Sequence, residues 1–247
     1  LPSTLLLREK SAKLILYFNQ GSSITYINDY SRQDNVGIST ESFNYIRTRN
    51  GWLVDFDGVD DGIQVENPLN FGMDRSTAFS VAYVMENSTG DVPTSDESVV
   101  AKRRADGFAY GWEFVHTNSF LSGMRFGAVF DSGFDNVCLV SDVFVGDYYD
   151  GRTHLVVWTY DGSNTADGLK LYIDSDMKTV SSQCDGALGE LMSTGKAQNP
   201  VTVANRNTRV NFYKGNLKMV AIFESQLSSG VIGRMCNTIQ GRGTDGD

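Results

Sequence analysis

The sequence predicts an all-β protein, a two-sheet antiparallel sandwich with one short C-terminal helix. Three observations carry the prediction. From residue 52 onward, apolar and polar residues alternate with period two in run after run. Asp-Gly pairs recur between those runs, and Asp-Gly supplies the positive φ that hairpin turns need. The chain has 25 glycines and only 4 prolines, which suits many tight turns and excludes a Pro-rich or disordered chain. With 247 residues and 40% hydrophobic content, it can bury a sizeable core.

Taken in order, residues 14–18 read as a strand, and residues 21–40, rich in Ser, Asn, Asp and Gly, read as a long arm or an added hairpin. Such a segment buries little by itself, so a partner surface would give it order. The chain therefore divides into an N-terminal arm or hairpin over 1–45, a sandwich over 46–240 and a loose polar tail over 241–247. In residues 78–86, Phe79, Val81, Tyr83 and Met85 share one face. Phe108, Tyr110, Trp112 and Phe114 form a second such row, and Met124, Phe126, Ala128 and Phe130 a third. Residues 154–160 are apolar on both faces, as in a central strand. Residues 169–173 alternate again, and 201–204 and 217–223 close the domain. The turn signals are Asp57-Gly58, Asp61-Gly62, Asp106-Gly107, Asp150-Gly151, Asp161-Gly162, Asp167-Gly168, Asp185-Gly186 and Lys214-Gly215. Leu227, Val231 and Met235 recur at helical spacing, with Ser228 placed as N-cap.

Charge and cysteines narrow the function classes. A net charge of -9 repels phosphate backbones and argues against nucleic acid as the partner. No run of about 18 apolar residues would span a membrane, and no signal peptide is visible. Cys138, Cys184 and Cys236 are an odd number; three reduced thiols are the simplest reading, with a Cys138–Cys184 bridge as the alternative. No CxxC pair or Cys/His cluster offers a structural zinc site.

Several motifs now carry a resemblance. The run LVDFDGVDDGIQV at 53–65 resembles the opening strand-turn-strand of concanavalin A-like, laminin-G-like jelly rolls. VVWTYDG at 156–162, LYIDS at 171–175, and the late strand at 215–223 followed by Leu227-Ser228 match later motifs in the family's order, across residues 50–237. The resemblance implies a jelly-roll sandwich. Ser175 replaces the family's glycine, and Lys218 stands where relatives that hold calcium often carry an acid. The start, PSTLLLREKSAKL at 2–14, is similar to the opening of tailed-bacteriophage tail or fibre proteins, which implies a virion protein.

The chain lacks the chemistry of a hydrolase. No E-x-D-x-x-E run offers the paired carboxylates of a glycosidase, and no nucleophile elbow or P-loop occurs. His154 lies in the most apolar strand and reads as a packed, hydrogen-bonded residue. No cofactor is required. Asp57, Asp60 and Asp61, with Asp55, could offer oxygens to Ca2+, although Asp-Gly turn chemistry explains them equally. Aromatic faces can stack on sugar rings, and Tyr148, Tyr149 and Phe134 are the candidates expected to be exposed, with Arg103 and Arg104 placed for an anionic glycan. The expected function is a non-catalytic structural or adhesion protein on a virion surface, as a tail, fibre or capsid-decoration subunit. It would meet host glycans and bind other virion subunits through its N-terminal arm, as a homo-oligomer. The alternatives are a secreted carbohydrate-binding or adhesion module, and a glycoside hydrolase of the same fold.

Overall fold

The structure is a computed structural model that describes residues 11–18, 26–48, 51–66, 71–73, 76–103, 110–119, 121–132, 136–185, 199–206 and 210–241. It is an all-β sandwich of two antiparallel sheets with a single short helix near the C-terminus.

The first sheet is centred on β7 (Phe79–Met85), which pairs residue for residue with β12 (His154–Tyr160) on one side and, across one register slip, with β17 (Lys214–Phe223) on the other. β13 (Leu169–Ile173) and β14 (Asp176–Lys178) extend it beyond β12. On its far side, β17 pairs with β5 (Gly51–Asp57) up to Leu217 and with β1 (Ala12–Tyr17) from Met219 onward. Lys218 sits at that changeover, where the register slips. β4 (Asn44–Thr48) lies outside β5.

The second sheet runs, in spatial order, through β15 (Val180–Asp185), β11 (Asn136–Phe144), β10 (Arg125–Ser132), β9 (Tyr110–Thr117), β8 (Glu97–Arg103), β16 (Val201–Val203), β6 (Ile63–Val65), β3 (Val36–Ser39) and β2 (Tyr26–Asn28). Inward-facing residues of the two sheets make one core that includes Phe79, Val81, Tyr83, Met85, Trp112, Phe114, Met124, Phe126, Ala128 and Phe130. Those are residues of the rows the alternation marked, with Phe108 and the side chain of Tyr110 lying outside what the structure describes. The strands at 154–160 and 169–173 fall on the expected residues, and every residue of β12 is buried, so a strand apolar on both faces lies where both faces are covered. The cover is α1 (Ser229–Ile239), whose Ile232 and Met235, with Leu227 just before its cap, pack on Ile15, Val84, Leu155 and Phe223 of the outer face. Ser228 caps it, its Oγ accepting from the Val231 N–H.

Two turn expectations change. Lys214-Gly215 makes no turn. It lies inside β17, and a Cβ on Gly215 would stand 2.6 Å from Asn87 Oδ1, so the glycine serves close packing. The β13–β14 hairpin instead turns on Asp174 and Ser175, both at positive φ (52° and 74°), without a glycine.

The reading of three reduced thiols is corrected. Cys138 is disulfide-bonded, and the Cα facing it across the β11–β15 ladder is that of Cys184. Cys236 is buried on α1 and takes no part in a disulfide. An odd count cannot reveal pairing, whereas a strand register that sets two cysteines opposite each other can. Thiol titration of the unfolded, unreduced chain is therefore expected to find one thiol, and after reduction all three. Three reactive thiols before reduction would contradict the bond.

Candidate functional site

The structure redistributes the candidate residues. Tyr148 and Tyr149 follow β11 on a short 3-10 turn. Tyr149, expected on the surface, is fully buried. Its hydroxyl stands 3.3 Å from Nδ1 of His116, whose Nε2 faces the Tyr83 hydroxyl at 3.4 Å. Glu97 Oε2 lies 3.9 Å from the same imidazole, and Asn87 donates to the Tyr213 hydroxyl at 2.6 Å. A polar cluster thus sits inside the apolar core. Burial pushes the Glu97 carboxyl up, against the pull of His116. A Tyr-Tyr pair in a loop looks exposed in sequence because nothing local reports the buried hydrogen-bond partner that draws one ring inward. Tyr148 is half-buried, its ring edge-on to Phe126 at 5.6 Å and to His154 at 5.2 Å.

Arg103, expected to face an anionic glycan, lies instead at the end of β8, where it donates to Glu113 Oε2 at 2.8 Å. Glu113 is fully buried and also receives a forked contact from Arg206. Arg104 and Phe134 lie outside the described residues. The exposed aromatics that the sequence reading passed over are Phe144, 44% exposed at the end of β11, and Tyr26, 60% exposed on β2. Phe144 pairs with Arg125 across the ladder. A cation and a ring 19 positions apart carry no local signal.

The aspartates do come together. One carboxylate oxygen each from Asp57, Asp60 and Asp61 lies within 4.8 Å of the others. Two of them are already employed: Asp57 Oδ1 accepts from the Val59 N–H at 2.7 Å, and Asp61 Oδ2 accepts from the Asp57 N–H at 3.0 Å. Asp55 points elsewhere, accepting from Asn44. Burial, followed by the charges of its aspartate neighbours, raises the Asp61 carboxyl above the usual range. The lysine beside this loop is Lys214, opposite Asp57; Lys218 lies four residues further along β17 and is buried. These hydrogen bonds form the turn with or without a cation, so the same melting temperature is expected in calcium and in chelator. A rise with calcium would assign an ion to the three carboxylates.

His154 is buried and hydrogen-bonded, as its strand suggested. Nδ1 meets Asp174 Oδ2 at 2.6 Å and Nε2 meets Asp150 Oδ1 at 3.0 Å. Asp174 also accepts from the Leu155 N–H and from Gln240 at the end of α1, so the imidazole ties a loop, a hairpin and the helix together. Burial alone would lower its pKa, but the hydrogen bonds and charges of Asp174 and Asp150 win and raise it. The sign follows from linkage: a raised folded value gives stability that is complete below the unfolded imidazole value of about 6.5 and is lost as pH rises through the folded one. The melting temperature is expected to fall between about pH 6 and about pH 8. His154→Gln should flatten that part of the profile, and an unchanged slope would remove His154 as its source.

No family profile matches the chain, and no curated protein matches it in sequence. Solved structures do match in fold. The binding domain of Paraclostridial Mosquitocidal Protein 1 is 12% identical with a TM-score of 0.64, over 92% of this chain and 52% of that one. The receptor binding domain of botulinum neurotoxin D is 15% identical with a TM-score of 0.63, over 93% of this chain and 53% of that one. A botulinum neurotoxin type C structure, described by cell entry dependent upon interaction with two ganglioside molecules, is 13% identical with a TM-score of 0.62, over 93% of this chain and 51% of that one. At this identity the likeness is one of fold, a β-sandwich, and the chain spans about half the length of these neighbours.

Proposed function

We propose that the chain is a non-catalytic binding module that meets glycans on a host surface. The observation that carries the reading is the fold neighbourhood: the matched β-sandwiches belong to binding and receptor-binding domains, and one of those proteins is described by its interaction with gangliosides. The surface chemistry agrees. Among the described residues, the exposed aromatics Phe144 and Tyr26 offer stacking faces. The carboxylates that cluster serve turns or hold His154 rather than framing a cleft. The module would belong to a virion, as a tail, fibre or capsid-decoration subunit, in keeping with the phage-like run at residues 2–14. Its contacts with sister or neighbouring subunits would run through the N-terminal segment, whose β2 ends the second sheet and exposes Tyr26.

A second reading, a secreted adhesion module of cellular origin, is favoured by the bonded Cys138, because disulfides persist in oxidising compartments. A glycan array probed with the purified chain tests binding, and gradient purification of particles from the producing strain separates the two locations. Retention of a defined glycan set that survives any single carboxylate replacement supports the module. Turnover of a glycan, abolished by one such replacement, would overturn it. Recovery of the chain free in the medium, with none on particles, would favour the secreted form.

A further inference from the structure

On the outer face of the second sheet, at one end, Thr117, Arg125 and Phe144 form a row across β9, β10 and β11. The Arg125 guanidinium lies 4.0 Å from the centre of the Phe144 ring. Nη1 is pinned to the main-chain carbonyls of Asp142 and Ser141, at 2.5 and 3.5 Å, and Nε is unpartnered. The other ion-paired arginines of the described residues, Arg103, Arg152 and Arg206, each meet a carboxylate. Arg125 meets none among the described residues. Asp96, across Thr117, already accepts from the Thr117 hydroxyl, the Asn118 N–H and the Ser119 hydroxyl. Among the described residues Arg125 thus has no carboxylate partner, as is also true of Arg32, Arg47 and Arg234, and what sets it apart is the 4.0 Å stack on Phe144 together with the two carbonyl contacts.

The ring beside it is held in place. Gly123 takes a φ of +80°, and a Cβ there would stand 2.5 Å from Phe144 Cε1, so the turn backbone abuts the ring edge. Leu121, two residues before that glycine, and Val92, beside Gly146, are each 37% exposed, so apolar side chains stand near the ring, with the exposed Asp142 and Asp147 on the same stretch of chain. A stacked, pinned guanidinium has lost its side-chain freedom before any ligand arrives. With Nη1 on the two carbonyls and Nε buried, Nη2 is the donor left to meet a carboxylate or sulfate, while the exposed part of Phe144 offers contact to a sugar ring.

We propose that Arg125 and Phe144 form a binding site for the anionic group of an acidic sugar, a carboxylate or a sulfate ester. The proposal rests on the glycan-binding reading and narrows it to charged glycans.

The test is an NMR titration of the intact chain, following the Arg125 Nε–H and the Phe144 ring. Three probes are used: the methyl glycoside of N-acetylneuraminic acid, galactose 6-sulfate, and neutral methyl galactoside. At least one acidic sugar is expected to shift both signals, and the neutral one to leave them in place; which acid acts separates carboxylate from sulfate. Arg125→Gln and Phe144→Ala should each weaken binding at least tenfold, Arg125→Lys should fall between, and added salt should weaken the wild type. If Arg125→Gln fails to fold, Phe144→Ala and the salt series carry the same test. An equal response to the neutral sugar, no response at Arg125 to any probe, or unchanged binding in Arg125→Gln and Phe144→Ala overturns the site. Array glycans bound with Arg125 silent would sink this site and leave the module standing. Acidic monosaccharides bound at Arg125 with no array glycan retained would do the reverse.

Discussion

Arg206→Ala is expected to cost about 3 kcal/mol of folding stability, toward the low end of the range for breaking a buried ion pair. Its partner, Glu113, is fully buried although it points away from the inter-sheet core, because Trp112 and Phe114 on either side of it point inward. Arg206 grips both carboxylate oxygens, Nε at 3.0 and 3.1 Å and Nη2 at 2.8 Å. Without it the buried carboxylate keeps, among the described residues, Arg103 alone, and its charge is half-compensated. The same arginine holds the loop after β16 against the sheet, where the Arg206 N–H also donates to the Val210 carbonyl at 3.0 Å. Arg206→Lys should lose about half as much, since an ammonium cannot form the fork. Urea denaturation reads all of this. A triple replacement, Glu113→Leu with Arg103→Met and Arg206→Met, should recover most of the loss, because it removes the buried charge with both of its arginine partners. A loss under about 1 kcal/mol for Arg206→Ala would mean that Glu113 finds water or a proton at little cost.

Phe79→Ala is expected to cost about 4 kcal/mol, within the range for deleting a buried phenyl ring. Phe79 is fully buried at the start of the central strand β7, with ring centres of Trp112 at 5.6 Å, Phe130 and Tyr160 at 5.8 Å and Phe114 at 6.4 Å. Those partners come from both sheets, so the ring is a tie between layers. Emptying it leaves a void that four rigid aromatics cannot close by small movements. Phe79→Leu keeps much of the volume and should cost about 1–2 kcal/mol. Equal losses for the two variants would indicate that the site collapses around the smaller side chain.

The alternation placed Phe79, Trp112, Phe114 and Phe130 in one core because the period-two rule acts within a single strand and needs no knowledge of its neighbours. The helix was legible for a similar reason: Ser228 and the four-residue spacing are local signals. β8 was not. Glu97 and Lys102 face inward there, and a strand that buries a carboxylate and an ammonium loses the pattern by which strands are read. β11 and β15 carry serines and aspartates in register with buried valines, and only their pairing makes them strands.

The candidate site separated less cleanly. Asp57, Asp60 and Asp61 were found together because they are close along the chain. Tyr149 and Arg103 were misplaced because their partners, His116 and Glu113, lie on β9, 33 and 10 positions away along the chain. Arg125 and Phe144 escaped notice because each looks ordinary alone.

The Asp-Gly turns, the inward rows, the capped helix and hence the two-sheet class follow from the sequence by itself, since each is a short-range preference of the backbone or of one strand face. Tertiary structure alone decided which polar groups were drawn inside, which cysteine was bonded and which arginine was stacked on a ring across the sheet. Those outcomes depend on strand register, and register sets residues facing one another that the chain keeps tens of positions apart.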